Sequence, residues 1–586
     1  MSAYLQPIDF WIFGLYILGV IILGLWASCK KSVTKRDYFL AGDKLPWWMI
    51  GGSIVAANLS SHHLVGGIGV AYDRGFITVS GEWAGVLLGI NALLWIFLPF
   101  YLRNGFYTMP EFLQRRFGAA PRIVFALLML LTYLFVEISG VLILGAIALE
   151  QLLHLNLAWS IVVIAIATGI YTITGGLRAV IWTEMLQLCV LLLGGFSLAY
   201  MTIRAVGGIQ PFLDTQSDWH LLLPANDPDF PWTKYLGGSL CVSIFYFATN
   251  QFIVQRVLAA KNEWHARMGI VFTCYLKFLV PLMITVPGLL AILLVQNGTI
   301  PKPEKPDMIF SLLVVHLLPH GLIGLVLAGL VAAIMGHLSG AINSCSTIAT
   351  IDLFLPFREA MKERRLSRDS NSSIKAGSLE NNGSADNADK LGKKQSELSA
   401  APKLELSAEN QSEKSSKMTE EDRIAILFGK IFAGIIILLG IGWAILLSGY
   451  IDRPIYIYLM KAYSYFAPGI ATMFIMGIFW KRTTYWGATF AGLLTVPLTI
   501  CLDFLFPTWP FYNRAGIVFW VCMFSCCLVS LFTKPKSDEE LKGLIWNPSS
   551  IRLPEDQRNA SNVFCRPGFW WLIITAVILS FFIMYP

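Results

Sequence analysis

Charge is scarce in this sequence. Only 14% of its 586 residues are Asp, Glu, Lys or Arg, against about 25% in soluble domains. That shortage excludes a string of soluble domains, a coiled coil and a chain disordered throughout. Cysteine is thin as well: ten residues without a CxxC pair spell out neither a disulfide framework nor a zinc site. No phosphate-binding glycine loop, metal-ligand cluster or nucleophile elbow appears, which argues against an enzyme and against a resident cofactor.

What is abundant is apolar. Hydrophobic residues make up 56% of the chain, with 38 Phe, 19 Trp and 20 Tyr, rings that favour bilayer interfaces. The composition reads as an all-α polytopic membrane protein. At about 20 apolar residues per crossing, the pattern predicts fourteen spans: 10–28, 47–71, 79–101, 123–149, 157–174, 179–202, 236–255, 268–295, 321–351, 424–448, 454–479, 484–506, 512–532 and 567–585. No basic residue precedes Phe10, so the first run reads as a retained span rather than a signal peptide.

Basic residues orient these spans. Lys30, Lys31, Lys35, Arg36 and Lys44 follow span one; Arg103, Arg115, Arg116 and Arg122 follow span three. Arg256, Lys261 and Arg267 follow span seven, and Lys481 and Arg482 follow span eleven. All fall on one side of a fourteen-span count. That side is read as cytoplasmic and both termini as outside, in a plasma membrane or a bacterial inner membrane. The net charge of +7 is then a topology signal, with the lipid bilayer rather than nucleic acid as partner. Residues 357–423 are rich in Ser, Asn, Lys and Glu, lack aromatics after Phe357, and read as a disordered cytoplasmic loop. Arg364, Arg365, Leu366 and Ser367 resemble a basophilic kinase site, and Asn297-Gly298-Thr299 an acceptor for a glycan in an outer loop.

Polar residues inside the spans need a reason, because a charge at mid-membrane costs about 2.5–3.5 kcal/mol on insertion scales. Span two carries Asn58, Ser60, Ser61, His62 and His63, followed by Gly66, Gly67 and Gly69, a pattern that predicts a broken helix with freed carbonyls. Glu82 opens span three, Glu137 lies in span four, and Thr183 and Glu184 lie in span six. Ser243, Tyr246, Thr249, Asn250 and Gln251 stripe span seven, Lys277 sits at the middle of span eight, His337 in span nine and Lys461 in span eleven. Snorkelling accounts for Glu82 and Lys461, and helix contact for Glu137. Lys277, nine or more residues from either end, demands a partner or a polar cavity. Polar groups on so many helices make a cavity where the helices converge, the pattern of a transporter with a midplane site.

Five strings then resemble a known family: WWMIGGSIVAAN from Trp47 to Asn58, SGEW from Ser80 to Trp83, YTITGGLRA from Tyr171 to Ala179, QRVLAAKN from Gln255 to Asn262, and FWKR from Phe479 to Arg482. Together, over about residues 8–530, they resemble the sodium/solute symporter family and most of all its sodium/glucose cotransporter branch. The resemblance implies a LeuT-type core of two inverted five-helix repeats. It divides the chain into an outer N-terminus, first span and cytoplasmic loop (1–46), a first repeat (47–202), an extracellular loop (203–235), a second repeat (236–479) interrupted by the loop at 357–423, and C-terminal spans (480–586).

Carried over residue by residue, the family's sugar site implies Asn58, His63, Glu82, Ser243, Tyr246, Phe247, Lys277 and Met460. Phe247 stands where a Trp usually follows the gating Tyr, and Met460 where glucose and galactose carriers have a Gln. The family's sodium site implies carbonyls at Ala56, Leu59 and Ala333 and hydroxyls at two positions that here read Gly336 and His337, neither of which supplies a hydroxyl. Glu184 and Ser339 match a second sodium site. The expectation is a secondary active transporter of a small polyhydroxylated solute, a sugar or polyol, with sodium as the family's coupling ion. The alternatives are a sodium-independent or proton-linked sugar carrier, and a sugar sensor that does not transport.

Overall fold

A computed structural model describes residues 6–28, 38–39, 45–153, 155–215, 219–380, 419–449, 455–557 and 562–586, without the side chains of 368–380, 455 and 456. The basic residues expected from Lys30 to Lys44 lie outside the described residues, as does 381–418 of the expected disordered loop. Among the described residues there is no strand, only isolated bridges at Leu45–Ala260 and Leu223–Pro231. Eleven helices are long and apolar enough to cross a membrane, and a bent pair, Trp47–Asn58 with His62–Arg74, makes a twelfth.

The outer faces of these helices expose large apolar side chains, among them Trp11, Leu438, Phe504 and Phe532. In water such a surface would drive aggregation; in lipid it is ordinary solvent contact. The interior carries the polar residues, so the chain is apolar outside and selectively polar within.

Two breaks in the helices match closely. The first apolar helix of the expected first repeat ends at Asn58, and Leu59 is extended at φ −72°, ψ 120°. The corresponding helix of the expected second repeat is interrupted at Asn250, with φ −75°, ψ 120°. Asn250 caps the next segment, Gln251–Leu258, by accepting from Phe252 N at 3.0 Å. At the first break Ser60 Oγ accepts from His62 N at 3.3 Å and bonds His62 Nδ1 at 2.7 Å. Short polar side chains here bond the backbone in place of the helical ladder.

The glycines of span two are not the break. The chain is already helical again through Gly66, Gly67 and Gly69. A Cβ at Gly67 would meet Ile284 Cγ2 at 2.9 Å, and one at Gly69 would meet the Pro306 carbonyl oxygen at 2.8 Å. They permit close helix approach, the usual use of small residues between membrane helices. The partner at Gly69 is the connection after Gln296, which folds into a short apolar helix, Pro306–Leu317.

The spans expected at 157–174 and 179–202 are joined in one helical run, Leu157–Ala205, interrupted at Gly176 with φ 59°, ψ −161°. A Cβ at Gly176 would lie 2.5 Å from the Tyr38 carbonyl oxygen, so glycine is required there on both counts. The segment expected to be disordered from 357 is helical through Glu380, because Leu355–Glu380 continues the preceding helix. Its far end is also helical: a capping box at Thr419 and Asp422 starts Glu420–Ser448. Glu359, Met361, Lys362, Glu363 and Leu366 are good helix formers, so extending an existing helix requires no new nucleus.

Candidate functional site

Single turns of π-helix occur at His62–Gly67, Gly85–Ile90, Tyr133–Ile138 and Ile244–Thr249. Each shifts the helical register, which is why such turns recur at functional sites. They aim His63, Gly85, Tyr246 and Phe247 at one cavity of about 130 Å³ beside the two broken helices.

All eight residues implied as the solute site line that cavity. Lys277, buried at mid-span, has found its partners: Nζ donates to Asn58 Oδ1 at 2.5 Å and is ion-paired with Glu82. Glu82 also accepts from His63 Nε2, at 3.1 Å. His63 Nδ1 accepts from Ser60 N–H at 3.3 Å, so the ring proton sits on Nε2 and the imidazole is neutral. Asn58 Nδ2 donates to the Tyr246 hydroxyl at 3.2 Å. The Tyr246 ring meets Phe247 edge-on at 5.1 Å and Tyr463 at 5.9 Å. Glu82 is therefore no snorkelling residue; it is the hub of the network.

The network keeps capacity to spare. Lys277 retains one N–H, Glu82 unused lone pairs, Asn58 a second amide hydrogen and Tyr246 its O–H. Donors and acceptors offered side by side match a hydroxyl, which is both. Ser243 and Met460 also line the cavity, with the thioether a weak acceptor at best.

Of the residues implied for ion coupling, only His337 reaches the cavity wall. Its Nδ1 lies 2.7 Å from the Ala57 carbonyl oxygen and its Nε2 2.6 Å from Glu137 Oε2. The imidazole thus ties span nine to the broken helix of span two and to span four. Gly336 packs against the Ala56 carbonyl: a Cβ there would lie 3.1 Å from that oxygen and 3.0 Å from Gln187 Oε1. Leu59 and Ala333 are buried. Ser339 Oγ donates to the Gly336 carbonyl at 2.9 Å. Glu184 is ion-paired with Arg256, whose Nε also lies 2.8 Å from Ser53 Oγ; all three are fully buried. A guanidinium therefore neutralises the carboxylate implied for a second cation.

Three residues take roles in the fold that the sequence does not indicate. Glu137 pairs with His337, Arg256 is a core cation rather than a loop charge, and Lys234 lines the cavity from the segment before span seven. For Glu137 the signal is a carboxylate in an apolar run. Arg256 and Lys234 sit at the ends of apolar runs, where sequence cannot tell buried from exposed. The expected kinase-type Ser367 donates to Arg364 O at 3.0 Å on an exposed helix, and Asn297 is exposed at a helix end.

A sequence model of the sodium:solute symporter family matches residues 38–374. The chain is 32% identical over 539 residues to the sodium/myo-inositol cotransporter 2 of Sus scrofa, covering 86% of this chain and 71% of that protein. It is 29% identical over 607 residues to the sodium/glucose cotransporter of Vibrio parahaemolyticus, covering 99% of this chain and 98% of that one. Among solved structures, a substrate-bound, outward-open Na+-coupled sialic acid symporter matches with a TM-score of 0.74 at 18% identity, over 91% of this chain and 99% of that one. That likeness concerns the fold alone.

Proposed function

The chain belongs to the sodium:solute symporter family, and on that premise we propose that it is a secondary active transporter of a small polyhydroxylated solute, a sugar or polyol, working by alternating access. The observation that carries this reading is the network of Asn58, Glu82, His63 and Lys277 opening onto a cavity beside two broken helices. Binding at a midplane break lets the same site face either side as the helices rock. The span count in this reading is fourteen, with Leu157–Ala205 divided at Gly176 and the helix pair around Asn250 taken as one crossing. The two breaks then begin two five-span repeats of opposite orientation, and both termini face outward. Uptake of labelled hexoses and inositols into liposomes holding the purified protein tests the reading; sugar binding without accumulation would identify a sensor instead.

A second reading concerns the coupling ion, and the contacts of His337 favour it. A carbonyl oxygen only accepts, so Nδ1 must carry hydrogen toward Ala57. Nε2 then meets Glu137 either as an imidazolium facing a carboxylate or as a neutral ring facing a carboxylic acid. Both states hold one proton more than a neutral imidazole and a free carboxylate. In this reading the protonated pair takes the place of a cation at the broken helix, and transport depends weakly on sodium and strongly on pH. Sodium held by the Ala56 carbonyl and neighbouring oxygens is the competing outcome.

A further inference from the structure

Lys234 is the second cation of the cavity, and no contact described so far employs it. It lies in the short 3-10 segment Trp232–Leu236, just before span seven, and is 3% exposed. Its ammonium lies 3.2 Å from Ser80 Oγ and faces the rings of Phe230 and Tyr235 at 5.4 and 5.0 Å. No carboxylate lies within ion-pair range of it among the described residues. Asp227 is near, but both its oxygens are on Arg74, at 2.8 and 2.9 Å, a guanidinium that Asp229 shares at 3.5 Å, all three outside the cavity wall. Two of the three N–H donors of Lys234 are therefore without a protein partner.

The charges along the wall do not cancel. Lys277 is balanced by Glu82. His63 is neutral, by the hydrogen bond its Nδ1 accepts. His337 and Glu137 sum to zero in either protonation arrangement. Lys234 remains, a buried positive charge with aromatic rings around it. A buried ammonium with no carboxylate in direct contact is costly. It is relieved by losing its proton or by gaining an anion. Burial pushes its amine down to about 7, with the Asp227 charge pulling the other way, so near neutral pH both routes are open to it.

We propose that the solute carries a single negative charge: a sugar acid whose hydroxyls meet Asn58, Glu82 and Lys277 and whose carboxylate meets Lys234. The proposal rests on the reading of this cavity as the solute site and specifies the chemical class of its occupant. The arrangement puts the two cation loci on different helices of one cavity, Lys277 with a counter-charge and Lys234 without one. A carboxylate accepts the two spare hydrogens of Lys234 and closes the charge balance. A neutral hexose of the same size offers only hydroxyl dipoles there.

The test is equilibrium binding to the purified full chain of two matched pairs, D-glucose with D-glucuronate and D-galactose with D-galacturonate, at pH 6.5. In the wild type each acid binds at least about 10-fold more tightly than its neutral partner, the scale expected of a charge-assisted contact. In Lys234→Met that preference disappears, and in Lys234→Arg it persists. Equal or weaker binding of the acids by the wild type overturns the proposal without recourse to any variant. So does an acid preference that survives in Lys234→Met. Binding of the neutral sugars alone overturns this inference and leaves the transporter reading standing; binding of no sugar and no sugar acid overturns both.

Discussion

Removing both charges of the Glu82–Lys277 pair should destabilise the protein by less than the two single removals added together. Lys277 is 2% exposed and its ammonium has two polar partners, Asn58 and Glu82. Glu82→Gln keeps the shape and one acceptor but leaves the ammonium without a counter-charge in the protein interior, at a cost of about 3–5 kcal/mol. Lys277→Met leaves the partly exposed Glu82 bonded to His63 alone, at about 1–3 kcal/mol for the lost hydrogen bonds. The double variant has no buried unpaired charge. It should lose less than the sum of the single losses by about 2 kcal/mol, within the range measured for contacting residues. The assay is reversible unfolding of wild type and three variants in mixed micelles, followed by tryptophan fluorescence. Additivity within about 0.5 kcal/mol would show that the two side chains do not interact, and the network would have to be redrawn.

Other outcomes follow from the same contacts. Met460→Gln puts an amide on the cavity wall where a thioether now stands, and should tighten glucose or galactose binding about 5-fold, roughly one hydrogen bond; an unchanged specificity profile would remove Met460 from the site. Replacing His337 and Gly336 together by serine supplies two hydroxyls next to the Ala56 and Ala57 carbonyls, and should make initial uptake rates rise saturably with sodium; an unaltered sodium response would refute the substitution of a cation by His337. Asn250→Ala removes the cap on Phe252 N and the partner of the Tyr133 hydroxyl, and should cost about 1–2 kcal/mol of stability; wild-type unfolding would show the cap to be idle. Deleting 381–418, a stretch without aromatic residues, should leave solute affinity within about 2-fold, since so little apolar surface is lost; loss of binding by the folded deletion protein would contradict that.

Part of the polar lining of the cavity, Asn58, His63 and Lys277, is legible in the sequence because membrane interiors punish isolated polarity, whereas Phe247 and Met460 enter only through the family resemblance. Lys277 in an apolar run of nearly thirty residues, or the polar cluster from Asn58 to His63, cannot be explained by lipid contact. The pairings among those residues are not legible in the same way. Whether Glu82 snorkels or bonds Lys277 depends on a crossing of spans three and eight that periodicity does not encode. Glu137 reads as a helix-contact residue until a π-turn in its own helix brings it to His337. Arg256 looks like one more positive residue at a cytoplasmic helix end, yet it is buried against Glu184. The break of span two is legible, but its cause differs: glycine there serves packing, while Ser60 and its neighbours end the helix. The helix through Glu380 is hidden because composition describes a segment alone, and this one continues a helix already formed.

The most direct test of the account is uptake of a radiolabelled solute panel into liposomes containing the purified protein, under an imposed sodium gradient, an imposed pH gradient, both, or neither. The panel holds hexoses, inositols and sugar acids, and Lys277→Met serves as the matched control. At least one of these solutes should accumulate, Lys277→Met should abolish its uptake, and the pH gradient should drive accumulation more strongly than sodium does. Liposomes that contain folded protein and accumulate none of these solutes under any gradient would contradict this.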